Sequence, residues 1–293
     1  MLLLLTTACL FDTTNPLFAD ADGDGVSVYQ GDCVDNKKAL QGPVVLNETD
    51  YATLGEAVAA AIPGDTIIVC PGEYEPVSLP SSVTLEGRPE GGEVLIHGRG
   101  EGAALKVTGD SVLIGLTLTG GIGTRYSGVR YGGGVDATGA SSLVMEDCVV
   151  EGNTADNGAG IAGPQEVGST TILEDVRLRQ NHASQFGGGA LLFDNVELNK
   201  VTVRDNVADS QGGGVVLVEA NAFLSKGSIE GNSANTGGGL LVAVSAVSVD
   251  GTDFSLNSPE DLVLQTANGT NTVVAVPGNS FSCDSTTNSP SCQ

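Results

Sequence analysis

A short phrase, Asn-x-Ala followed five or six residues later by Gly-x-Gly, recurs about every 25 residues through the second half of this 293-residue chain. Asn153, Asn181, Asn206 and Asn232 open successive copies, a degenerate fifth opens at Asn257, and an orphan triplet, Gly132 to Gly134, precedes them. So regular a period is foreign to an ordinary globular core. Each copy reads as one coil of a solenoid, unable to bury its apolar face alone and stabilised by stacking on its neighbours. Glycine at a fixed place in every coil predicts a corner that needs positive φ or close backbone approach.

Aligning the copies on their Asn separates strand from helix, because a strand alternates its faces with period two. Three residues before the Asn stand Val150, Leu178, Val203, Ile229 and Phe254; five before it stand Cys148, Val176, Val201, Gly227 and Thr252. Both columns are expected to face inward. Two before the Asn stand Glu151, Arg179, Arg204, Glu230 and Ser255, and six before it Asp147, Asp175, Lys200, Lys226 and Gly251, which are expected to face water. In parallel coils stacked at about 4.8 Å, like positions form ladders. That stacking sets Glu151 beside Arg179, Arg204 beside Glu230 and Asp175 beside Lys200. Exposed pairs of this kind contribute about 0–1 kcal/mol each. The aliphatic ladders, at about 1.5–3 kcal/mol per buried side chain, dominate.

The Gly-Asn-Thr-Ala (152–155) and Gly-Asn-Ser-Ala (231–234) phrases with their Gly triplets resemble the polymorphic outer membrane protein repeat of bacterial surface proteins. Coils of this length more broadly resemble the right-handed parallel β-helix of the pectate-lyase-like superfamily, over about residues 50–276. The resemblance implies an all-β, right-handed parallel β-helix with a short N-terminal capping helix, and implies a fold, not an activity. Composition agrees: Gly is 42 of 293 residues, aromatics are 4% and Trp is absent, as narrow coils favour small and β-branched side chains. A solenoid grows by adding coils, so this length fits one elongated domain. The expected organisation is a signal remnant (1–8), a tether (9–19), an Asp-rich segment (20–45), an N-terminal cap (46–78), the β-helix (79–276) and a tail (277–293).

The cap is read from Tyr51 to Ile62, whose Leu54, Ala57, Val58, Ala61 and Ile62 fall on one helical face before the Pro63-Gly64 stop. A strand at 66–70 and a Pro-Gly-x-Tyr closure at 71–74 follow, resembling the cap of many β-helices. Without a cap the first coil would expose its stack and its strand edges.

Thr6-Thr7-Ala8-Cys9 resembles the end of a bacterial lipoprotein signal, which implies lipidation of Cys9 and attachment to the outer membrane or cell surface. The apolar run before it is too short to span a bilayer and lacks a basic start, so an upstream start is expected. Asp20-Ala-Asp22-Gly-Asp24-Gly25, followed by Asp32 and Asp35, resembles the Asp-rich metal-binding motif of bacterial surface proteins. Alternating carboxylates before a glycine turn converge hard oxygens, as calcium requires. Calcium on Asp20, Asp22, Asp24, Asp32 and Asp35 is therefore expected, an ion-free acidic linker being the other reading. Among the remaining cysteines, Cys33 is placed to pair with Cys70, Cys283 with Cys292 across a short loop, and Cys148 to stay a buried thiol.

A net charge of −24 with only 12 Lys and Arg excludes nucleic acid. The segment 120–134, with Arg125, Tyr126, Arg130 and Tyr131, breaks the repeat and is either a ligand loop or an ordinary insertion. Lyases of the resembling superfamily gather carboxylates and calcium around a sugar acid with an Arg or Lys base. The nearest candidates, Asp147, Glu174, Asp175, Arg177 and Arg179, coincide with the columns explained by cross-coil pairing, so no catalytic residue is assigned. Two functions remain. One is a monomeric surface lipoprotein whose non-catalytic β-helix is an adhesive, structural or carbohydrate-binding scaffold for a polysaccharide or surface protein. The other is a polysaccharide lyase or related carbohydrate-active enzyme.

Overall fold

The computed structural model describes residues 43–88, 92–265 and 271–275. It is a right-handed parallel β-solenoid of about seven turns with one short helix. Among the described residues the strands form three sheets of 17, 8 and 5 members. A full coil of the repeat region supplies two consecutive segments to the large sheet, one to the second and one to the third, whereas the coils carrying Asn232 and Asn257 meet the third only through isolated bridges. In the coil from 161 to 186 the segments are Ile161–Ala162, Thr170–Glu174, Arg177–Arg179 and His182–Phe186.

The register of the second sheet is the one expected. Val150, Leu178, Val203, Ile229 and Phe254 stand directly above one another and are all buried. Cys148, Val176, Val201 and Thr252 are buried as well, and burial pushes the Cys148 thiol up to about 12. Of the outward columns, the one six before the Asn differs from expectation in its backbone. Asp147, Asp175, Lys200 and Lys226 all sit at φ between 51° and 55°, so this column is a left-handed corner between two sheets and not a strand position. Glu151 pairs with Arg179, and Lys200 Nζ lies 2.9 Å from Asp175 Oδ2. The expected Arg204–Glu230 pair is replaced: Arg204 Nε turns 3.1 Å to its neighbour Asp205.

The repeated Asn is the internal spine. Asn153, Asn181, Asn206 and Asn232 are wholly buried. In each, Nδ2 donates at 3.0 Å to Oδ1 of the next Asn, which also accepts the backbone N–H at 3.0–3.1 Å. The second amide hydrogen goes to a carbonyl of the preceding coil, as from Asn206 to Leu178 O at 2.8 Å. Asn257 ends the ladder on Asp261 Oδ1 at 2.8 Å. A buried amide is tolerated only when its donors and acceptors are paired, and here they are. The Ala of Asn-x-Ala packs into a small cluster of its own, Ala155, Ala183 and Ala208. His182, between the two, is exposed and 2.8 Å from Asp209.

The capping helix is present, and two details of the cap differ from the reading. The helix spans Leu54–Ala60, started by a capping box in which Thr53 Oγ1 accepts from Glu56 N and Thr53 N donates to Glu56 Oε2. Leu54 and Ala57 are buried and Val58 and Ala61 pack on the core, but Ile62 lies beyond the helix end and is exposed. Val44–Leu46 runs antiparallel to both Thr49–Tyr51 and Thr66–Val69, covering the first parallel edge. Gly72–Tyr74 is a strand of the second sheet and not merely a closing turn. Tyr74 is buried there, its hydroxyl donating at 2.7 Å to Cys70 O. Cys70 is disulfide-bonded. Its expected partner Cys33, together with Cys9, Asp20, Asp22, Asp24, Asp32, Asp35, Cys283 and Cys292, lies outside the described residues.

Candidate functional site

Residues 124–131, which break the repeat, form a β-hairpin: Thr124–Tyr126 pairs antiparallel with Val129–Tyr131. Its second strand joins the third sheet, placing Tyr131 beside Asn157. Asn157 stands beside Phe186, Phe186 beside Gln211, and Gln211 beside Thr236. One side chain per coil therefore forms a wall parallel to the solenoid axis. The adjacent floor is the outer face of the large sheet, where Leu191, Val216 and Leu241 stack in register and are nearly buried, with Phe193, Val218 and Ala243 two positions on. Wall and floor enclose a trough of about 470 Å³, headed by Val129 and Tyr131 and flanked by Gln165, Gln185 and Gln265. Its size falls within the usual range of ligand pockets.

The hairpin is held over the sheet by two carboxylates. Asp136, fully buried, accepts from Tyr126 Oη at 2.6 Å and from Thr138 Oγ1 at 2.7 Å. Lys106 Nζ lies 5.4 Å from the centroid of the Tyr126 ring, and the Tyr126 and Tyr131 rings are 6.2 Å apart. Asp156 accepts from Arg130 N at 2.7 Å and from Ser184 Oγ at 2.6 Å. The Ser184 hydroxyl, then the Arg130 N–H and the charges of Arg125 and Arg130, hold its carboxyl below the usual carboxylate range.

Of the four loop residues singled out in the sequence, only Tyr131 lines the trough. Tyr126 anchors the hairpin. Arg125 Nη1 donates to Gly128 O and Arg130 Nη1 to Ile122 O, each at 3.2 Å, so both guanidinium groups are used within their own loop. The residues most responsible for the trough, Phe186, Leu191, Phe193, Gln211 and Asn157, escape an alignment centred on the Asn ladder. A signal for them exists: Ala-Leu-Leu-Phe (190–193), Val-Val-Leu-Val (215–218) and Leu-Leu-Val-Ala (240–243) are continuous apolar runs, and a strand apolar at every position is covered on both faces.

The trough wall carries one unmet hydrogen-bonding group. Asn157 is 5% exposed, and its Oδ1 has no hydrogen-bond partner. Farther along, Gln265 Nε2 donates to Gln211 Oε1 at 2.9 Å. Of the residues weighed for catalysis, Asp175 pairs with Lys200, Glu174 accepts from Asn199 Nδ2 at 3.2 Å and Arg179 pairs with Glu151, all away from the trough. Among the described residues no group of three His, Cys, Asp or Glu side chains is arranged to hold a metal. No protein-family model matches this chain, and neither does any curated protein or solved structure.

Proposed function

We propose that this chain is a bacterial cell-surface lipoprotein whose β-helix is a non-catalytic scaffold presenting a binding face, with the resemblance to pectate-lyase-like and polymorphic outer membrane protein repeats extending to its surface location. The observation that carries the reading is the trough: the one segment that interrupts the repeat folds over the sheet and closes an axial groove with an apolar floor and an amide-bearing wall. Groups of that kind bind without reacting. Hydrolysis or elimination of a glycoside needs a carboxylate pair or a base poised at the sugar, and the trough lining contains neither.

In this reading Cys9 carries the lipid anchor, and the Asp20–Asp35 carboxylates bind calcium and stiffen the segment between membrane and cap. The partner is a polysaccharide or a protein of an adjoining surface. The test is retention with turnover followed in parallel: purified protein is incubated with cell-surface polysaccharides, and both bound protein and unsaturated products are measured. Retention without product is expected. Robust product formation that is lost in Arg177→Ala would instead establish the lyase. Mass spectrometry of the native N-terminal peptide tests the anchor, an unmodified Cys9 removing it. Titration calorimetry with calcium on the full chain tests the ion site, absence of heat at millimolar calcium removing it.

A further inference from the structure

We infer that the trough binds an uncharged, hydroxyl-rich glycan lying parallel to the solenoid axis, a conclusion that rests on the scaffold reading above and narrows it to one ligand class. The chain carries a net charge of −24, yet none of the residues lining the trough is charged. A polyanion would meet an acidic molecule with no cation to receive it, and each carboxylate brought onto the apolar floor would lose hydration without compensation. The lining thus disfavours the sugar-acid polymers that the superfamily resemblance brings to mind.

Amides suit a hydroxyl-rich ligand, because each offers both donor and acceptor while remaining uncharged. Asn157 Oδ1 supplies the sharpest point. It is a buried acceptor with no donor, a condition that one sugar hydroxyl would relieve. The flat faces of Tyr131 and Phe193 and the aliphatic floor match the C–H faces of pyranose rings. Spacing agrees as well: the wall presents one group per coil, about 4.8 Å apart, close to the length of one hexose in an extended chain. Tyr131, Asn157, Phe186 and Gln211 would then each address one sugar unit. A peptide strand is a poorer occupant, since the floor is the face of a sheet whose backbone groups are already paired with neighbouring coils and offers no free edge to extend.

Affinity electrophoresis of the full chain tests this, using gels containing dextran, laminarin or xylan as uncharged probes and polygalacturonate or alginate as acidic ones. Retardation by at least one uncharged polymer is expected, with at least a tenfold loss of affinity in Asn157→Leu and Phe186→Ala. Thermal unfolding of both variants is followed alongside. Phe186 is partly exposed and lies outside the Asn ladder, so Phe186→Ala is expected to fold even if Asn157→Leu unfolds. Retardation by acidic polymers alone overturns the inference and leaves the scaffold reading standing. Retardation by uncharged polymers that both variants retain in full places the site elsewhere and overturns it equally. No retardation in any gel, with binding of an uncharged extended peptide in fluorescence polarisation, overturns the glycan and makes the partner a protein.

Discussion

Gly160 and Asn181 pack against each other across a coil boundary: a methyl group on Gly160 would lie 3.0 Å from Asn181 Nδ2 and 2.3 Å from the Gly189 carbonyl oxygen. The same closeness recurs between Gly189 and Asn206 and between Gly214 and Asn232. The two halves of the repeated phrase are therefore one device, a buried amide ladder and the side-chain-free backbone that makes room for it. Gly160→Ala should then cost about 2 kcal/mol by overpacking a site with no give. Gly139, with nothing within 4 Å of an added methyl, is the control, and Gly139→Ala should be neutral or slightly stabilising. Urea midpoints of the two variants check the contrast.

Asn206 receives two hydrogen bonds on Oδ1, from Asn181 N and Asn181 Nδ2, and gives two from Nδ2, to Leu178 O and Asn232 Oδ1. Asn206→Leu keeps the branched shape but removes all four bonds, stranding Asn181 N, one Asn181 amide hydrogen and Leu178 O, while Asn232 Oδ1 keeps only the Asn206 backbone N–H. Each stranded buried group costs on the order of 1–3 kcal/mol, so this variant should be among the most damaging in the molecule. Because coils couple chiefly to their neighbours, the loss should be local. Hydrogen exchange should accelerate first in the coils carrying Asn181 and Asn232, and uniform acceleration across the solenoid would show the ladder to be cooperative over its full length.

Val203 and Arg204 are adjacent in sequence and opposite in environment. Val203 is 1% exposed between Leu178 and Ile229, whereas Arg204 points to water and pairs with Asp205. Val203→Asp buries a charge with no partner and should unfold the surrounding coils; Arg204→Ala should change stability by less than about 0.5 kcal/mol. Similar melting temperatures for the two would contradict the observed register.

The coil register was legible because period two and period 25 act on the same residues: Val150, Leu178, Val203, Ile229 and Phe254 are identified by the Asn three places later. What lay beyond reach depends on local side-chain geometry that the repeat does not encode. That Asp136 would anchor Tyr126, or that Arg204 would prefer Asp205 to Glu230, is decided by side-chain geometry at a corner and not by spacing. The left-handed corner at Asp147, Asp175, Lys200 and Lys226 was hidden for a related reason. Only Asp there hints at such a conformation, and Lys gives no hint at all. The trough was missed because its wall, Tyr131 to Gln211, mixes a hairpin residue with repeat residues, and no single alignment column contains both.

Val244 occupies the corner between the two large-sheet segments of its coil at φ 54°, a conformation that β-branched residues resist. Asp194 and Glu219 hold the corresponding corners of the two preceding coils at φ 54° and 51°. Val244 is 41% exposed, so little packing is lost on replacing it. Val244→Asn should stabilise the protein by about 1 kcal/mol, read as a higher urea midpoint with an unchanged slope. A fall in midpoint would mean that the Val244 side chain contributes packing that outweighs its backbone strain.

Asp156 ties the hairpin to the repeat through Arg130 N and Ser184 Oγ, and these contacts depress its pKa on folding. The sign follows from linkage. A carboxyl whose folded value lies below its unfolded value, about 3.9, contributes its full stabilisation above that unfolded value and loses it as pH falls through the folded one. The stability difference between the parent and Asp156→Asn should therefore be constant from neutral pH down to about pH 4.5 and shrink below it. Denaturation at a series of pH values measures that difference directly, and subtracting the variant cancels the titration of the other carboxylates. The same acid step should loosen the hairpin that heads the trough, so hydrogen exchange at 124–131 should rise at the pH where the difference closes. Exchange that stays flat through this range would show Asp136, with its bonds from Tyr126 and Thr138, to be sufficient to hold the hairpin alone.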